Sequence, residues 1–89
     1  MKHHNLVREF YKRTFFKDYV SVNDLRRHNL HQVFDTPQQI GAFFQDMASD
    51  GYLESIGRVK TTHEKARGRR VTAWRWTRLA HARFERDRR

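Results

Sequence analysis

Leu6, Val7, Phe10, Tyr11, Thr14 and Phe15 recur three and four positions apart, while Arg8, Glu9, Lys12 and Arg13 take the opposite side. This spacing predicts an amphipathic first helix. Tyr19, Val20 and Ser21 read as a short extended link. Ser21 and Asp24 then match the Ser-x-x-acid cap that opens a second helix, with Val22 and Leu25 inward and fraying near Asn29. The strongest local signal follows: Thr36 as N-cap, Pro37 preset for the first helical position and Gln39 as capping-box partner. Ile40, Phe43, Phe44, Met47 and Ala48 fall on one face of this third helix, and Gly51 sits where a left-handed residue ends it, near Asp50.

After Gly51 the period changes. Leu53 to Lys60 and Arg69 to Thr77 are rich in Val, Ile, Thr and Trp and flank a polar stretch from Thr61 to Gly68, which predicts a hairpin with a long tip. In its second strand Thr72, Trp74 and Trp76 share a face, so both indoles cover the open side of the helices. Leu79, Ala80, Ala82 and Arg83, behind Thr77 as cap, predict a short last helix. The expected class is α+β: three helices, a two-stranded hairpin and a short C-terminal helix. A chain of 89 residues fits one domain over 1–89, with its core over about 5–78 and a basic helix or tail over 79–89.

Charge changes this picture more than overall composition does. Residues 1–56 hold seven Lys/Arg against seven Asp/Glu, whereas 57–89 hold twelve against three, so the whole net charge of +9 belongs to the last third. Such a segment attracts a polyanion, because each neutralised phosphate releases condensed counterions. Double-stranded DNA is the leading expected partner, with structured RNA using the same charges. The twelve aromatics supply a small core despite 33% charged residues, and the lack of cysteine excludes a disulfide framework and points to a reducing cytoplasm. Apolar runs of three or four residues leave no membrane span to expect.

The segment Ile40-Gly41-Ala42-Phe43-Phe44 through Met47, Gly51, Tyr52, Leu53 and Gly57, closing with Ala66-Arg67-Gly68-Arg69-Arg70-Val71 and Trp74-Arg75, resembles small winged helix-turn-helix proteins of actinobacteria and their phages. The resemblance covers roughly residues 20–78. It implies a winged-helix DNA-binding protein, a regulator or accessory factor acting at the nucleoid or in a host cytoplasm. In such folds the third helix enters the major groove, which here would present Gln38, Gln39, Ala42, Gln45 and Ser49 to base edges. The same glutamines suit an ordinary solvated face, and both readings stand open. Helix 3 departs from the usual pattern in carrying Asp46 and Asp50 but no Lys or Arg, which favours weak or shape-driven readout.

The hairpin tip has the opposite bias. Lys60, His63, Lys65, Arg67, Arg69 and Arg70 surround Gly68, and an Arg-Gly-Arg core suits a narrow minor groove. Arg26, Arg27 and Arg75 are expected on the DNA backbone; Arg78, Arg83, Arg86, Arg88 and Arg89 add phosphate contacts or a mobile tail. The hydrophobic stripe of helix 3 reads as core. His28 and His31 stand three apart without a third ligand, so neither a metal nor a cofactor is expected; His3 and His4 read as a flexible terminus and His81 as a surface residue. No catalytic motif or small-molecule site is evident, and an enzyme is not expected. A protein-interaction module that docks an acidic partner is the alternative function, and a homodimer stays open.

Overall fold

Val7, Phe10, Tyr11 and Thr14 are fully buried along one face of α1 (His4–Thr14), and Arg8, Lys12 and Arg13 stay exposed, as their spacing predicts. The computed structural model describes residues 3–60 and 70–88. Thr14 tolerates burial because its hydroxyl is used twice, donating to the Phe10 carbonyl at 2.6 Å and accepting the Trp76 indole N–H at 3.0 Å. A buried hydroxyl left unmet would cost about 1–3 kcal/mol.

α2 (Val22–Arg27) opens with the expected capping box: the Ser21 hydroxyl accepts the Asn23 N–H at 3.1 Å, and the Asp24 carboxylate accepts the Ser21 N–H at 2.9 Å. Asp24 is almost wholly buried and is balanced by Lys17 and, at 3.6 Å, by Arg27. A 3-10 turn, Leu30–Val33, follows Asn29 in left-handed conformation, a feature the hydrophobic pattern does not signal. α3 (Pro37–Ser49) is capped by Thr36, whose hydroxyl accepts the Gln39 N–H at 3.3 Å. The Gln39 amide oxygen accepts from Asp35 N–H at 2.6 Å, so the reciprocal bond closes one residue upstream of the expected position. Gly51, at φ 85°, ends the helix; a Cβ there would also stand 3.0 Å from the Leu79 side chain.

β1 (Leu53–Lys60) and β2 (Arg70–Trp76) pair antiparallel from Leu53 opposite Trp76 to Lys60 opposite Arg70. Val20 bridges Trp74 through backbone bonds of 2.7 and 2.8 Å, so the extended link acts as a one-residue strand beside β2. A bulge interrupts β1 between Ser55 and Gly57, leaving Ile56 without a partner and Gly57 at φ 141°, a conformation that side chains rarely adopt. Its consequence is a change of face. Up to Ser55, odd positions of β1 lie on the face of Trp74 and Trp76; beyond the bulge Arg58 pairs with Thr72 and Lys60 with Arg70, so the even positions take over that face.

Trp76 and Trp74 close the core over the helices, with Phe10 5.6 Å and Tyr11 5.1 Å from Trp76 by ring centroid. α4 (Arg78–Arg83) is capped by the Thr77 hydroxyl, which accepts the Ala80 N–H at 3.2 Å and donates to Gly51 O at 2.5 Å. The residues beyond α4 are packed rather than trailing. Phe84 is buried against Tyr52 and Tyr11 at 5.0 and 5.4 Å, and the final 3-10 turn, Glu85–Arg88, joins α1 through Arg8 and Asp87 at 3.0 Å. Among the described residues the architecture is thus a small α+β unit of four α-helices and an antiparallel hairpin. None of these helices is long and apolar enough to cross a membrane.

Candidate functional site

Between α2, the N-terminal half of α3 and the inner face of the hairpin lies an open cleft of about 330 Å³. Its floor is apolar: Val22, Ile40, Phe44 and Trp74, the last two with rings nearly parallel at 12° and 6.1 Å apart. Arg26 from α2, Arg58 from β1 and Arg70 from β2 border it, with Gln45 on the α3 side. Each arrives for a local reason. Arg26 follows Val22 by four residues and shares its helical face; the bulge turns Arg58 inward; Arg70 lies on the same hairpin face as Trp74 and Thr72. Asn23, nearly buried, donates its side-chain N–H to Lys60 O at 2.9 Å and so ties the far end of β1 to α2.

Among the described residues no carboxylate lines the cleft, and Arg58 and Arg70 make no hydrogen bond or ion pair there. Three guanidinium groups around one recess create a positive potential that low-dielectric walls concentrate. The arrangement suits an anion.

Of the residues expected to face a ligand, Gln38, Gln39, Ala42, Gln45 and Ser49 are all exposed on α3. Gln45 reaches the cleft; Gln39 is engaged in capping. Arg26 and Arg70 are brought together at the cleft, and Lys60 pairs across the hairpin with Arg70. Arg27 turns to Asp24 instead. Arg75 lies on the outer hairpin face, away from the cleft, where its Nε donates to Glu54 at 2.7 Å. His63, Lys65, Arg67 and Arg69 lie outside the described residues. Arg58 is the cleft residue that regular strand alternation hides, and Gly57, a glycine inside a strand pattern, is the signal that could have revealed it. The apolar stripe of α3 divides too: Phe43 and Met47 are core, whereas Ile40 is half-buried because it faces the recess.

The histidines are more engaged than their positions suggest. His3 packs edge-on against Phe34 at 5.1 Å, so it is not a loose terminal residue. His81 is half-buried, with Nδ1 2.7 Å from the Tyr11 hydroxyl, which in turn accepts from Arg88 Nε at 2.8 Å. Burial, and secondarily the charge of Arg88, hold its pKa below the ordinary value. Among the described residues no three His, Asp or Glu side chains converge in a way that could hold a metal ion.

No family model, curated protein or solved structure matches this chain. The functional reading therefore stands on the cleft and on the charge around it.

Proposed function

We propose that this chain is a non-enzymatic winged helix-turn-helix protein that binds double-stranded DNA, as a regulator or as an accessory factor in DNA transactions. The observation that carries the reading is the convergence of Arg26, Arg58 and Arg70 beside the exposed face of α3. The order of elements supports it: a helix, a one-residue strand, two helices separated by a short turn, then a hairpin beside the last of them. In that geometry α3 lies in the major groove with Gln38, Ala42 and Gln45 toward base edges. The strand that borders the groove passes between α3 and the hairpin, where the three arginines meet its phosphates. Arg67 and Arg69, outside the described residues and just before Arg70 in sequence, are further candidates for phosphate contact.

The test is a titration of a labelled duplex pool across a range of salt. The double variant Arg58→Ala/Arg70→Ala is expected to bind more weakly and to flatten the slope of log affinity against log salt by about two. An unchanged slope overturns the phosphate contacts. One observation favours a second reading, docking to a protein partner: α3 exposes Asp46 and Asp50 and carries no Lys or Arg. Absence of any duplex binding at low salt would select it.

A further inference from the structure

We propose that the cleft between α3 and the hairpin is a binding site for a single nucleotide unit, a flat heterocycle joined to a phosphate. A surface that only tracks a duplex backbone needs charge and hydrogen-bond donors; it has no use for an apolar recess. Here the recess is floored by Val22, Ile40, Phe44 and Trp74. Inorganic phosphate would satisfy the guanidinium groups and leave that floor wet, while a neutral apolar ligand would cover the floor and leave the charges of Arg58 and Arg70 without a counterion. The matching ligand is anionic at one end and ring-sized and apolar at the other. Phe44 and Trp74 are nearly buried and stacked on each other, so they act as a floor and not as jaws.

Two details narrow the class to nucleotides. Arginine planes stack on bases as well as pairing with phosphate, and Gln45 at the rim offers the donor and acceptor pair of a side-chain amide, which complements a base edge. A recess of about 330 Å³ is at the small end of ligand sites, fitting one unit of a strand. The unit has two sources, a free nucleotide or an unpaired nucleotide at the end of a strand. The second source rests on the nucleic-acid reading above; the first does not.

Trp74 lines the site, so tryptophan emission of the full chain reports on it. Deoxyadenosine monophosphate should saturate the signal, with deoxyadenosine and inorganic phosphate each weaker by about tenfold or more. In parallel, a duplex with a short unpaired end competes against the same duplex with blunt ends. Arg58→Ala/Arg70→Ala should abolish the nucleotide response. Gly41→Leu is the sharper variant, because a Cβ at Gly41 meets nothing within 4 Å and the side chain would grow into the recess with all three arginines kept and helix propensity raised. It should lose the nucleotide response and any preference for the unpaired end, while its thermal midpoint holds or rises. A saturating nucleotide response or an end preference, abolished by Gly41→Leu, supports the site. Neither response, a response that inorganic phosphate reproduces, or responses that Gly41→Leu retains would overturn it. Tight blunt-duplex binding without nucleotide response or end preference overturns this site alone, whereas nucleotide binding without duplex binding overturns the DNA reading alone.

Discussion

At the cleft, Arg58 and Arg70 have no hydrogen bond or ion pair among the described residues; near the C-terminus, Arg83 and Arg88 are tied to the protein itself. Arg88 donates to the Tyr11 hydroxyl and lies over the rings of Phe15 and Tyr11 at 5.5 and 5.9 Å, Arg83 lies over Phe84 at 5.9 Å, and Asp87 holds Arg8 of α1, raising the guanidinium's pKa through a hydrogen bond and its charge. Both sets belong to the same basic third of the chain. The difference teaches that a count of charges does not locate a binding surface: a guanidinium with an internal partner contributes to the fold, and one without remains solvated and available to an anion. Folding stability and ligand affinity should therefore respond to separate sets of residues.

The largest effect tests the structural side of that division. Phe84 is 1% exposed and fills the space between Tyr11 and Tyr52, so Phe84→Ala removes the apolar anchor of the C-terminal turn. We expect a loss of about 3–5 kcal/mol in urea unfolding. Arg58→Ala/Arg70→Ala should move the same midpoint by no more than about 0.5 kcal/mol. If Phe84→Ala leaves stability unchanged, the C-terminal turn is no part of the core.

What the chain reveals before folding follows the same divide between local and distant causes. The caps at Ser21 and Thr36, the stop at Gly51 and the stripe of α1 are set by neighbours within a few residues, and all are legible in the sequence. The exposed face of α3 is legible for the same reason. Arg58 is not, because its direction depends on a bulge two positions away that inverts strand alternation. The cleft itself is not, since its walls come from three elements. Docking of the C-terminal turn escapes notice too, as a lone Phe84 among charges gives no periodic signal and its partners lie some seventy residues earlier or at Tyr52.

An intermediate effect sharpens the binding side. Replacing Arg58 and Arg70 of the cleft together with alanine should flatten the salt dependence of duplex affinity by about two. Replacing Arg75 and Arg88, both engaged internally, should leave that slope within about half a unit of the wild type. Equal slopes for the two double variants would mean that internal pairing does not decide which arginines meet phosphate, and the comparison would fail.

The smallest effect concerns His81, where the internal network turns charge into pH dependence. The Tyr11 hydroxyl accepts from Arg88 and stands 2.7 Å from His81 Nδ1, which accepts the hydroxyl proton in the tautomer that carries the ring proton on Nε2. Protonating the ring deprives Tyr11 of its acceptor and adds a positive charge beside Arg88, after burial has already disfavoured the charged form. The unfolded chain takes up this proton near the ordinary value of 6.5 and the folded chain only at lower pH, so the unfolded state binds more protons in between. This contribution to stability is complete above the unfolded value and declines as pH falls below it. Wild type should thus lose thermal stability in mild acid faster than His81→Gln, which keeps an acceptor for Tyr11 but does not titrate, the gap being small because the ring is half-buried. Arg88→Ala should bring the His81 pKa, followed by NMR, back toward the ordinary range. Parallel pH curves for wild type and His81→Gln, with no movement of that pKa in Arg88→Ala, would show that the C-terminal arginine and the Tyr11 hydroxyl do not act on His81 as a unit.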